Sequence, residues 1–184
     1  MRTVEIEATN LCNTRCMHCP HETITRPSGM MTWDTFQMVA DKVIDHGQTH
    51  AIDFAGMGEP TLNKQLYRFI NYFEGKIDTF ITTNAATLTT RNIERLAEAG
   101  LTNIIVSFNG TEPALYEAMM GGLSFKRAET NLANLIERAG KMRITANVSV
   151  TKQTQDHLET IKTYLNDMGV QDMFFSKCHS RGAH

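Results

Sequence analysis

Along this chain the spacing of apolar positions switches repeatedly between about 2 and about 3.6 residues, the periods of strands and helices. TVEIEA (3–8) alternates as a short strand, and MTWDTFQMVADKVIDHG (31–47) then carries Phe36, Val39, Ala40, Val43 and Ile44 at helical spacing. Thr32 is placed to cap the start of that helix and Gly47 to stop it. The same exchange recurs. AIDFAG (51–56) reads as a second strand before a helix over 62–75, and IDTFITTN (77–84) as a third before a helix over 89–100. NIIVSFNG (103–110) is a fourth, followed by helical segments in EPALYEAMM and SFKRAETNLANLIERAG. MRITANVSV (142–150) is a fifth, then a helix over 154–169, and VQDMFFSK (170–177) is a sixth.

Six strands alternating with helices predict an α/β fold with a parallel sheet, because each parallel pair needs a crossover. A doubly wound sheet and a barrel both satisfy this. At about 30 residues per strand-helix-strand unit, the 184 residues are used up, and a full eight-stranded barrel of about 250 residues does not fit. In either architecture ligands gather at the carboxyl ends of the strands.

Composition narrows the function classes. The chain is 41% hydrophobic, enough for one sizeable core, and its formal charge of -2 comes from 18 basic and 20 acidic residues without a basic run. No nucleic-acid or anionic-membrane partner is expected on charge grounds. No apolar run spans a bilayer and the N-terminus lacks a signal-peptide core, so a cytoplasmic location is expected. Three of the four cysteines, Cys12, Cys16 and Cys19, fall in LCNTRCMHCPH (11–21), at the end of the first strand. Clustered thiols in a reducing compartment point to metal binding or catalysis rather than to disulfides. Three readings stay open: a zinc site completed by His18 or His21, a dithiol redox pair of Cys16 and Cys19, and an iron–sulfur cluster with one iron lacking a protein ligand.

Other carboxyl-end segments supply polar groups facing the same opening. GMGEPTLN (56–63) follows strand two, with glycines that permit close backbone approach and the carboxylate of Glu59. Thr82, Thr83 and Asn84 end strand three, Ser107 and Asn109 end strand four, and Asn147 and Ser149 lie on strand five.

Taken together, C-N-T-R-C-M-H-C, a C-x3-C-x2-C spacing with His18 before the last cysteine, resembles the cluster loop of the radical S-adenosylmethionine (SAM) enzymes. GMGEP is similar to that family's GGEP segment, TTNAATL to its TNG segment and VSFNG to its SLDG segment, in the same order over residues 3–177. The resemblance implies a partial (β/α)6 TIM-type barrel with parallel strands over 1–177, and a tail over 178–184. It implies a [4Fe-4S] cluster on Cys12, Cys16 and Cys19 whose open iron chelates SAM, so that reduction releases a 5'-deoxyadenosyl radical that takes hydrogen from a substrate. Carried over position by position, Gly56, Gly58, Glu59 and Pro60 would hold the methionyl amino group. Ser107 and Asn109 would meet the carboxylate or ribose, and Thr83 and Asn84 would line the site. A flavodoxin or ferredoxin would donate electrons, and the substrate class includes peptides.

Two departures from the family pattern stand out. Many peptide-modifying relatives have a stretch like YERIRGG after strand four, whereas Tyr116 to Gly122 read YEAMMGG, with Ala118 and Met120 where arginines are expected. The SAM carboxylate would then need another donor, with Lys126 and Arg127 as candidates, or SAM binding would be weaker, while Met119 and Met120 are expected to pack under the barrel. KCHSRGAH (177–184) ends just past strand six with an HSRGA stretch similar to the HNRGG-like stretch of relatives with an additional SPASM cluster domain. Strand six, with Met173, Phe174 and Phe175, is then expected to be an exposed edge covered by a partner chain or another copy. Cys178, with His179 or His184, is the candidate for a second cluster. His46, His50 and His157 are expected in solvent, His18 and His21 near the cluster, and Trp33 in packing. A non-catalytic module that binds zinc or a degenerate cluster, and through it a partner, remains the alternative to an enzyme.

Overall fold

The computed structural model describes residues 2–170 and 172–177. Its strands are β1 (Thr3–Glu5), β2 (Ala51–Phe54), β3 (Asp78–Thr83), β4 (Asn103–Ser107), β5 (Arg143–Val150) and β6 (Asp172–Lys177). They form one all-parallel sheet in the order β1-β2-β3-β4-β5-β6. Helices α1 (Trp33–His46), α2 (Leu66–Phe73), α3 (Thr90–Glu98), α4 (Pro113–Met119), α5 (Phe125–Arg138) and α6 (Leu158–Met168) fill the crossovers. Six parallel strands in chain order, the first five each followed by helix, make the half-barrel that the resemblance implies. Among the described residues no helix is long and apolar enough to cross a membrane.

The helices cover one face of the sheet. Ile52 and Phe54 of β2 are fully buried, and Phe54 joins an aromatic cluster with Phe36 of α1 and Phe69 and Phe73 of α2. Phe36 and Phe69 stack at 4.1 Å. Trp33 packs on this cluster 5.5 Å from Phe36, with the Arg68 guanidinium over its ring. Side chains alternate along a strand, so the residues between those core positions, such as Asp53, point to the other face.

Local signals place the helix ends. Thr32 Oγ1 accepts from Thr35 N at the start of α1, and Gly47 closes its end at φ 66°. Helix α2 begins four residues later than its apolar pattern indicates. Buried Asn63 explains the delay: its Nδ2 donates to Ala8 O (2.8 Å) and Met31 O (3.0 Å), and its Oδ1 accepts from Gln65 N. These long-range bonds hold the chain outside the helix.

Phe174 and Phe175 are 43% and 39% exposed on β6, as expected of an open edge. Met173 differs, being half-buried and packed against the core. Cys178, His179 and His184 lie outside the described residues.

Candidate functional site

Strands β1 to β4 stop short of the segments read from the sequence, and residues released at their carboxyl ends help build a cavity. It is lined by Cys12, Cys16, His18, Cys19, Gly56, Met57, Gly58, Glu59, Thr83, Asn84, Ser107 and Met120, among others. Three free thiols and the glycine segment after β2 therefore share one space.

The cysteine loop is closed by its own polar residues. At its base, Thr9 bridges to Met30 in antiparallel fashion, Asn10 Oδ1 accepts from Gly29 N (2.7 Å) and Asn10 Nδ2 donates to Pro27 O (2.9 Å). His21 Nε2 bonds Asn10 O at 2.8 Å, which gives that histidine an anchoring role. Inside the loop, Thr14 Oγ1 lies 3.2 Å from Cys12 Sγ and 3.4 Å from Cys16 Sγ.

The glycine segment is docked against that loop so closely that side chains are excluded. A Cβ on Gly58 would lie 2.2 Å from Thr9 O, and Glu59 N donates to Leu11 O at 2.8 Å. Gly56, at φ 143°, lies over Glu7, where a Cβ would meet the side chain at 2.7 Å. Glu7 in turn accepts from Met57 N (2.7 Å) and pairs with Arg26.

Glu59 is almost completely buried. Its Oε1 accepts from Thr61 N, Thr61 Oγ1 and Thr83 Oγ1, and its Oε2 from Asn84 N at 2.8 Å. Burial pushes its pKa up, and the bonds from Thr61, Asn84 and Thr83 oppose that rise. The carboxylate therefore ties the loop after β2 to the end of β3. Asn84 continues the tie, donating from Nδ2 to Asn13 Oδ1 (2.8 Å) in the cysteine loop.

Some expected site residues stand off the cavity. Pro60 is buried beside Glu59 but does not line the opening. Asn109 is fully buried, with Oδ1 accepting from Ser149 N (2.7 Å) and Nδ2 donating to Met120 Sδ (3.1 Å). Lys126 and Arg127 are exposed on α5 and do not line this cavity, and Lys126 pairs with Glu129 at 2.9 Å. Met119 and Met120 are buried as packing residues, and Met120 also faces the cavity. The stretch they belong to runs against the cysteine loop: Met17 N donates to Met119 O (3.1 Å) and Arg15 N to Gly121 O (2.9 Å).

Besides the Tyr116 hydroxyl, two buried side-chain polar atoms lack partners among the described residues. His18 Nε2 meets Ser149 Oγ at 3.2 Å but its Nδ1 is unpartnered, and burial lowers its pKa, favouring the neutral ring. Asp53 Oδ1 is likewise unpartnered, and burial, with the charge of Glu5 opposite it on β1, pushes this carboxyl up to about 6. Its folded pKa exceeds that of an ordinary aspartate, so stability is lost as pH rises from about 4 to about 6 and stays lower above that. Asp53→Asn is expected to remove this slope. Denaturation at pH 4 and pH 7.5 checks it, with the variant's gain confined to the higher pH.

Ala85 occupies the left-handed region at φ 61°, at the glycine position of the TNG-like segment. Relieving that conformation is worth about 1–2 kcal/mol, against about 0.8 kcal/mol for one buried methyl. Ala85→Gly is therefore expected to stabilise the protein by up to about 1 kcal/mol; urea denaturation showing a loss would contradict this.

The family model described as Radical SAM superfamily matches residues 6–165. The chain belongs to the radical SAM superfamily. It is 26% identical over 182 residues to the tungsten-containing aldehyde ferredoxin oxidoreductase cofactor-modifying protein of Pyrococcus furiosus, covering 96% of this chain and 51% of that protein. It is 28% identical over 160 residues to PqqA peptide cyclase of Bradyrhizobium diazoefficiens, covering 86% and 41%. In fold it is similar to Streptococcus suis SuiB bound to S-adenosylmethionine, with TM-score 0.81 at 18% identity over 97% of this chain and 41% of that one. The chain thus spans about half, or less, of the length of these proteins.

Radical SAM proteins use a [4Fe-4S] cluster and SAM, and the residues present fit both. Burial raises the pKa of the Cys16 and Cys19 thiols, and neighbouring cysteines raise each further. Thiols that resist ionising side by side become good ligands once a cationic iron core neutralises them. Among the described residues no three His, Cys, Asp or Glu side chains converge to hold a single metal ion.

Proposed function

We propose that this chain is the SAM-cleaving core of a radical SAM enzyme, with Cys12, Cys16 and Cys19 holding the cluster. The observation that carries this reading is the meeting of three free thiols with the Gly56–Glu59 loop in one cavity. Held by Cys12, Cys16 and Cys19, a reduced cluster would supply the electron for cleavage of SAM to methionine and a 5'-deoxyadenosyl radical.

The chain's own residues then have distinct tasks. An ammonium needs acceptors, and in the loop from Gly56 to Pro60 the backbone carbonyls are the available ones, because the Glu59 carboxylate is spent on Thr61, Thr83 and Asn84. Glu59 and Asn84 hold the loop in register, and Asn109 holds Met120 and β5. Ser107, lining the cavity from the end of β4, offers a hydroxyl to the carboxylate or ribose of SAM. The thioether of Met120 faces the cavity at a position where the resemblance leads one to expect arginine.

A peptide is the proposed substrate class, supported by the name of the PqqA peptide cyclase relative and by the HSRGA stretch. A flavodoxin or ferredoxin is the proposed electron donor, and a reducing cytoplasm suits the free thiols. The test is 5'-deoxyadenosine formation by anaerobically reconstituted protein given SAM and a chemical reductant, assayed by mass spectrometry. Product dependent on both additions is expected. A loaded cluster that forms none refutes the catalytic reading and favours a partner-binding module.

A further inference from the structure

Thr14 is buried between two of the cysteines, with Oγ1 3.2 Å from Cys12 Sγ and 3.4 Å from Cys16 Sγ. Among the described residues that hydroxyl meets sulfur alone. Buried threonines elsewhere in the chain give theirs to oxygen: Thr9 to Gly29 O (2.7 Å), Thr83 to Glu59 Oε1 (2.7 Å) and Thr154 to Ser149 O (2.6 Å). A neutral thiol is a weak partner by comparison. Valine, with a methyl in place of the hydroxyl, would fill the same space with no polar atom to satisfy.

Both chain neighbours of Thr14 are tied to other parts of the fold. Asn13 Oδ1 accepts from Asn84 Nδ2 (2.8 Å) at the end of β3, and Arg15 N donates to Gly121 O (2.9 Å) beyond α4. Met17 N adds a further tie to Met119 O (3.1 Å). Thr14 is thereby held in the wall of the cavity that Cys12, Cys16 and Cys19 share. Thiols that lose their protons on binding iron become acceptors only, and hydrogen bonds to a charged group are roughly twice as strong as neutral ones. A hydroxyl fixed between two sulfurs is therefore weakly matched in the free protein and well matched once those sulfurs carry charge.

We propose that the Thr14 hydroxyl donates a hydrogen bond to the ligating sulfurs of Cys12 and Cys16, one at a time, when the cluster is bound, and thereby raises the cluster's reduction potential. A donor to sulfur stabilises the more electron-rich, reduced state, and hydrogen bonds to the sulfurs are among the features that set such potentials. The inference rests on the cluster reading of the three cysteines.

Thr14→Val and Thr14→Ser separate this role from packing. Valine removes the donor and keeps the branched shape, whereas serine keeps the donor and loses a methyl. In reconstituted Thr14→Val, redox titration followed by EPR is expected to show the reduced-to-oxidised ratio at a fixed potential falling roughly three- to tenfold, where tenfold is 59 mV for a one-electron couple. Thr14→Ser is expected to keep the wild-type potential, and both variants the wild-type iron content. Full iron with an unchanged potential in Thr14→Val overturns the inference and leaves the cluster reading intact. An equal shift in both variants assigns the effect to packing and overturns it too. A Thr14→Val protein that melts lower and loses iron shows that the hydroxyl holds the loop together, which overturns it as well. Wild-type protein that binds no iron overturns the cluster reading and this inference together.

Discussion

Cys12→Ala is expected to abolish iron retention after reconstitution while leaving the unfolding midpoint of the apoprotein unchanged. Cys12 is half-exposed, and its hydrogen-bond contact is with Thr14 Oγ1 at 3.2 Å, so the fold loses little when the sulfur goes; substitutions away from buried features stay within about 0.5 kcal/mol. The cluster loses one of three protein ligands. Removing even an outer partner of a ligand costs roughly 10- to 100-fold in affinity, and removal of a ligand should exceed that. Iron and sulfide assays beside a thermal melt measure both halves. Full iron content in the variant would mean that the metal sits elsewhere.

Glu59→Ala carries the largest expected effect on stability. The substitution leaves the Thr83 hydroxyl and the Asn84 N–H without their acceptor in a buried position, and frees Thr61 as well. At about 1–3 kcal/mol for each unmatched buried group, the loss should reach about 3–5 kcal/mol. Glu59→Gln keeps an acceptor oxygen but turns an amide toward a donor, and should fall between. Urea denaturation of the apoprotein gives these values. A loss below about 1 kcal/mol would show that the carboxylate does not tie the loop after β2 to β3, and that its burial serves the ligand instead.

How much of this could be read from the sequence depended on range. The alternation of strands and helices, the Thr32 cap and the Gly47 stop of α1 follow from neighbours in the chain, and the structure has them. The cysteine loop was equally visible, since three thiols in eight positions need no tertiary knowledge. Glu59 was legible as a site residue, but its partners were not: Asn84 and Thr83 lie 25 and 24 positions away. The same applies to Asn13 with Asn84, separated by 71 positions, and to His18 with Ser149, separated by 131. Asn109 carried a sequence motif yet turned inward to Ser149 and Met120, because an amide at the end of β4 can serve either side of the sheet edge. Nothing in YEAMMGG marks Tyr116 as unmatched; that property exists only once the core closes around it. The late start of α2 belongs to the same class, since the Asn63 bonds to Ala8 and Met31 override a clear apolar period.

Cys12, Cys16 and Cys19 are proposed to hold a cluster whose open iron would face the Gly56–Glu59 loop. The most direct measurement is the EPR spectrum of the anaerobically reconstituted, reduced protein before and after SAM is added. Roughly four irons per chain and a spectrum that changes on SAM addition are predicted, with the change lost in Cys12→Ala. A cluster spectrum indifferent to SAM, or zinc in place of iron, would contradict the claim.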